Sequence, residues 1–143
     1  MLNLCLFSDR HAGNRAHLWP KWIHDRIDFG ALKMDRYQTG QIVIPDPEIT
    51  VKSVCALCNN GWMSDLEAKN IPMVGSMLND LSITLDRGAQ ESVAAWTIKT
   101  AMVLDSTRPK AAGARFYRKE DCVKMRENLS MPEYTRGLDR KNE

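Results

Sequence analysis

The sequence predicts an α+β domain: a metal-held core of short strands in its first half, followed by a small helical extension. Three observations carry this. Two thiols, Cys55 and Cys58, stand three residues apart in VCALCNNGWMSDLE (54–67), between an extended run and a helical pattern. β-branched runs at 41–44 and 49–54 read as strands. From 89 to 105, Val93, Trp96, Thr97, Thr100, Ala101 and Leu104 recur at helical spacing.

The remaining elements follow in order. Residues 1–14 read as a short extended piece and a polar turn, with Asp9, Gly13 and Asn14 as turn formers. HLWPKWI opens a short helix at Pro20, which suits a first turn. Residues 25–35 are expected to extend it, interrupted at Gly30. A turn precedes the strand at 41–44, and Pro45 and Pro47 close it. The strand at 49–54 leads into the thiols. Pro72 is expected to split the next helical stretch into 61–70 and 72–81. Residues 115–117 read as a strand, 119–128 as a charged helix, and the polar stretch 129–143 as a disordered tail.

Composition bounds the function. The 143 residues fit one domain, and 43% hydrophobic with 27% charged residues supports a packed core. A net charge of +2 exerts no global pull on nucleic acid, so any basic surface is local. Four cysteines without a paired framework suit a reducing compartment. No apolar run approaches the roughly 20 residues of a membrane helix, and MLNLCLFSDRH lacks a secretory leader's pattern. The expectation is a cytoplasmic protein with no membrane partner.

Two residues between thiols bring both sulfurs to one side of a tight turn, where they can grip a soft metal ion. A redox pair would want a βαβ surround, which is absent from the pattern. A structural zinc ion needs further ligands, and Cys5 is the natural third. Cys5 opens CLFS, where a thiol at Ser8 would complete a four-thiolate set. Serine is a poor zinc ligand, and the fourth place is open to His11, Ser8 or a water. The alternative is reduced thiols packed as small apolar groups. Cys122, in KEDCVKM, reads as a free thiol.

His17, in AHLWP, is a candidate general base on water, or else a histidine bonded to backbone. Asn59 and Asn60 are expected at a helix N-terminus, where unpaired N–H groups attract phosphate. Lys21, Arg26, Lys33 and Arg36 form a phosphate track or, with Asp25, Asp28 and Asp35, a mixed solvated surface. Trp19, Trp22, Trp62 and Trp96 read as core aromatics, and Met63, Met73 and Met77 as core filler. Lys99 is expected to face solvent.

The combination CxxS…AHLWPKWI…VCALCNNGWMSDLE resembles the His-Asn-His (HNH) endonuclease group. Bacterial and phage members carry EH-x-x-P-x-W followed by C-x-x-C-N-N-G-W-M-S-x-L-E. The likeness runs from Cys5 to about Leu66, and AAWTIKTAMVLD is similar to the helical extension of those proteins. The resemblance implies a zinc-stapled ββα-metal core of treble-clef type in residues 1–81, and a helical extension in 82–128 packed on it. It implies DNA as partner, His17 as the base and Asn59 as a cation or phosphate ligand. Asn60 and Lys21 would hold nucleic acid, and magnesium or manganese would be the catalytic cation. Cys5, Cys55, Cys58 and His11 would hold the zinc. Two positions depart: Ala16 stands where the group has an acidic residue, and Ser8 where it has a thiol. Asp46, Glu48 and Glu67 are candidate replacement carboxylates. The alternatives are an inactive treble-clef module binding nucleic acid or a protein, and a helical interaction domain with incidental cysteines.

Overall fold

The computed structural model describes residues 3–27, 32–36, 40–44, 49–108, 113 and 115–129, and within 32–36 and 40–44 the backbone is what is described. The architecture mixes α and β: two small antiparallel sheets and a set of helices. A tight loop comes first. Leu4 bridges His11, and the Cys5 N–H donates to Arg10 O at 2.8 Å. The Leu6 N–H donates to Ser53 O at 2.9 Å and ties this loop to the strand before the thiols.

β1 (Asn14–His17) pairs antiparallel with β4 (Thr50–Val54), with Ala16 opposite Val51, His17 opposite Thr50, and a register shift between Asn14 and Ala16. Side chains alternate along a strand. That puts Ala16 inside and His17 outside, while Val51 and Val54, three residues apart, both reach the interior because the register shift adds a residue to β4. α1 (Lys21–His24) starts at Pro20 and stops at Asp25. The expected helical continuation is not formed. Leu32–Arg36 is instead strand β2, laddered onto β3 (Gly40–Ile44) with Leu32 opposite Ile44 and Arg36 opposite Gly40. A partner strand overrides weak local helical pattern.

After β4 the chain enters α2 (Ala56–Cys58), a π-helical segment (Asn59–Met63) kinked at Gly61, and α3 (Ser64–Leu78). Pro72 does not split α3. The helix passes through it while Leu66, Asn70, Val74 and Gly75 stay buried. Proline inside a helix costs about 3 kcal/mol, which burial of that face offsets. The helix ends at Leu78 rather than at residue 81, and Met77 is 41% exposed, so it is not core filler.

α4 (Arg87–Asp105) is capped by Asp86, whose carboxylate accepts from the Ala89 N–H at 2.8 Å. Its buried face is Ser92, Ala95, Trp96, Lys99, Thr100, Met102 and Val103. That face is rotated from the expected one: Thr97 and Leu104 are exposed, and Lys99 is interior. Residues 115–117 form a bend rather than a strand, with the Tyr117 N–H donating to Asp105 Oδ2 at 3.1 Å. α5 (Lys119–Asn128) follows as expected.

One cluster of buried side chains joins these parts. Cys5, Phe7, Ala16 and Val54 from the first half meet Trp96, Met102, Cys122 and Met125 from the second. Trp19, Trp22 and Trp62 pack against it, and Phe7 meets Trp62 edge-on at 5.0 Å between centroids. The disorder expected of 129–143 concerns positions that, apart from Leu129, lie outside the described residues. No helix among the described residues is long and apolar enough to cross a membrane.

Candidate functional site

The N-terminal loop and the β4–α2 turn place three thiols together. The sulfurs of Cys5, Cys55 and Cys58 all lie within 4.8 Å of one another, and all three residues are buried. Cys55 is the residue before α2, and Cys58 is its last, so one helical turn separates the pair. The third sulfur arrives through the Leu6–Ser53 backbone bond that holds the loop to β4. None of the cysteines is disulfide-bonded. Thiols this close can hold a metal ion, since a metal–sulfur bond of about 2.3 Å puts tetrahedral sulfurs roughly 3.8 Å apart.

The thiols differ in acidity. Burial raises Cys55, but the Cys58 backbone N–H and then the Ser8, Cys58 and Cys5 side chains outweigh it, leaving the thiol at about 7. Burial, the Cys55 side chain and the charge of Cys5 push Cys58 up to about 11, against lowering by Ser8 and Trp62. The Trp62 indole N–H is buried without a hydrogen-bond partner. Cys122 sits apart from the group of three, buried and pushed up to about 11 by burial and by Asp121.

Of the two side chains considered for the fourth place, one lies at the thiols and one does not. Ser8 is buried, with its Oγ 3.6 Å from Cys55 Sγ and 3.8 Å from Cys58 Sγ. His11 is exposed and lies outside the clustered ligand atoms. Its bridge to Leu4 turns the ring over Gly13, where a Cβ would meet His11 Nδ1 at 3.2 Å. The fourth place is therefore not filled by His11 in this arrangement.

Beside the thiols lies a polar cleft of about 160 Å³ lined by His17, Pro20, Lys21, Asn59, Asn60, Ser64 and Glu67. It gathers His17 from the end of β1, Lys21 from α1, and the amides and Glu67 from the helical run after the knuckle. The helical run begins at Ala56 but is broken at Gly61 (φ −98°, ψ −115°), so Asn59 and Asn60 close its first turn and directly precede the helix that follows the kink. Their side chains, joined by a 3.2 Å bond from Asn59 Nδ2 to Asn60 Oδ1, reach the cleft from one turn inside. Lys21 also pairs with Asp25 at 2.7 Å in the open.

Glu67 is the one carboxylate lining this cleft, and it is already engaged. Lys99 Nζ donates to Glu67 Oε1 at 2.9 Å, with the Lys99 side chain 3% exposed and that of Glu67 28%. The ammonium also lies 5.9 Å from the Trp96 ring centroid. Lys99 was expected to be solvated because it lies off the apolar stripe read for this helix, Val93, Trp96, Thr97, Thr100, Ala101 and Leu104. The signal against this is its spacing: it falls on the stripe of Ser92, Ala95, Trp96 and Val103. Ala16, where an acid was expected, is 2% exposed and faces inward, so a carboxylate there would leave water rather than join His17. Asp46 and Glu48 lie outside the described residues.

A residue with no local signal completes the site. Lys119, at the start of α5, donates to Cys5 O and, at 2.6 Å, to Ser8 O. Its partners lie more than a hundred residues away, so no sequence pattern points to it. Compared with protein-family models, curated proteins and solved structures, the chain matches none.

Proposed function

We propose that this chain is a zinc-stapled, HNH-like module of treble-clef type that holds a DNA phosphodiester in the cleft and hydrolyses it. The observation that carries this reading is the convergence of His17, Asn59, Asn60 and Lys21 on one polar cleft next to the three thiols. Thiolate ligands suit zinc, and this ion would be structural because its donors are buried away from the cleft.

Five of the cleft residues have a role in that reading. Lys21 and the side-chain amides of Asn59 and Asn60 donate to phosphate oxygens. His17, at a strand end and open to solvent, takes a proton from water. Glu67 and the Asn59 carbonyl oxygen would hold magnesium or manganese, which supplies Lewis-acid stabilisation of the scissile phosphate when bound.

A second reading is favoured by the Lys99–Glu67 pair. A hard cation wants free carboxylates, and the one lining this cleft already faces a buried ammonium. With Lys21 and Lys99 against Glu67, the cleft suits an anion better than a cation, and the module would bind nucleic acid without cutting it. Plasmid nicking with magnesium or manganese, run beside His17→Ala, separates the two. Cleavage lost in the variant supports hydrolysis. Equal residual cleavage refutes His17 as base, and DNA binding without cleavage by the parent supports the second reading.

A further inference from the structure

We propose that the metal centre has a three-sulfur, one-oxygen donor set in which the Ser8 hydroxyl is the fourth protein ligand, held in place by Lys119. The first support is geometric. In a tetrahedral zinc site, a bond of about 2.3 Å to sulfur and about 2.1 Å to oxygen place the two donors roughly 3.6 Å apart. Ser8 Oγ stands 3.6 Å from Cys55 Sγ and 3.8 Å from Cys58 Sγ, which is that edge length. An ordinary buried serine satisfies its hydroxyl with a backbone carbonyl. Ser8 Oγ instead lies against two metal-competent sulfurs.

The second support is the backbone. Cys5 and Ser8 are the two ends of a C-x-x-S turn, as Cys55 and Cys58 are the ends of a C-x-x-C turn. The Lys119 ammonium grips the carbonyl oxygens of both ends of the first turn at once. It thereby fixes the two residues that must present Sγ and Oγ to the same point. The ammonium also stands 3.8 Å from the exposed Asp9 carboxylate, so its part in this scheme is the hold on the two carbonyls. Lys119 is a positioning residue in this scheme, since it touches the ligands' carbonyls and not the ion.

The hydroxyl is a neutral and weaker donor than a thiolate, so the fourth bond is the weak one. The consequence is a site that tightens when Ser8 becomes cysteine, whether or not the neighbouring cleft hydrolyses anything. The test uses the full chain loaded with cobalt(II) alone, read by absorption, together with zinc competition against a chromophoric chelator. Ser8→Cys should raise thiolate-to-cobalt charge transfer by about a third, four sulfurs replacing three, and tighten zinc binding. Ser8→Ala should shift the d–d bands and weaken zinc by about tenfold or more, while Ser8→Thr, which keeps the hydroxyl, stays near the parent. Lys119→Met should weaken zinc similarly, with Lys119→Arg recovering part of the loss. Unchanged d–d bands and affinity in Ser8→Ala would show that solvent fills the fourth place and overturn the donor set. Charge transfer that does not grow in Ser8→Cys would overturn it equally. An unaltered affinity in Lys119→Met would remove the positioning role, and a parent protein that takes up no cobalt would sink the metal centre altogether.

Discussion

The thiol cluster and the polar cleft are neighbours built from the same helical run, yet they are held in different ways. The cluster is buried and over-determined: the Leu6–Ser53 backbone bond, the Lys119 clamp and the Phe7–Trp62 contact all converge on it. The cleft is open, and its residues arrive singly from β1, α1 and the run after the knuckle. Its one rigid element is Glu67, braced from behind by Lys99. The difference teaches that the knuckle should govern stability and the cleft should govern ligand chemistry, with the Glu67–Lys99 pair tying the cleft to the buried face of α4.

Removing a thiol should have the largest effect. Cys58→Ala is expected to lose the metal and to lower Tm by roughly 10 °C or more, measured by calorimetry beside metal analysis. An unaltered Tm would place the stability of this region in its apolar packing alone.

The buried ion pair behind the cleft comes next. Glu67→Gln strands a buried ammonium, and is expected to cost about 3–5 kcal/mol in urea unfolding. Lys99→Met should cost less, about 1 kcal/mol, because Glu67 reaches water and methionine fills the space. The reverse order would show that the pair's weight lies on the cleft side.

The pH dependence of metal uptake is a milder probe of the cluster. Metal binds the thiolate, so protons compete with it. Cys55, at about 7, is largely ionised by pH 8, whereas Cys58, at about 11, is not. Affinity should therefore rise with pH, by about tenfold per unit from Cys58 alone between pH 8 and 10. Chelator competition across that range measures it, and a flat profile would contradict the burial effect on Cys58.

The smallest effect on stability belongs to the cleft. His17→Ala removes an exposed ring and should change the unfolding free energy by no more than about 0.5 kcal/mol, while abolishing any cleavage. A large destabilisation would mean that His17 serves the β1–β4 pairing.

These contrasts also separate what the sequence made legible from what it did not. The C-x-x-C spacing and the Cys5 partner were readable because ligand spacing is local chemistry, and so were α5 and the strand before the thiols. The convergence of His17, Asn59, Asn60 and Lys21 was expected through the HNH resemblance, and these residues do share a cleft. What was hidden depends on long-range pairing. β2 was mistaken for helix because its partner strand is not visible in local periodicity. Pro72 was given a break that burial of the α3 face overrides. Lys99 was assigned to solvent because it lies off the stripe of Val93, Trp96, Thr97, Thr100, Ala101 and Leu104, whereas the buried face is rotated onto Ser92, Ala95, Trp96, Lys99 and Val103. Lys119 could not be found at all, because both its acceptors come from the far end of the chain.

The metal content of the purified protein tests the central claim most directly. Inductively coupled plasma mass spectrometry should find zinc equimolar with the chain in the parent and absent from Cys58→Ala. A parent protein that is folded by circular dichroism, with its thiols reduced and no bound metal, would contradict the account.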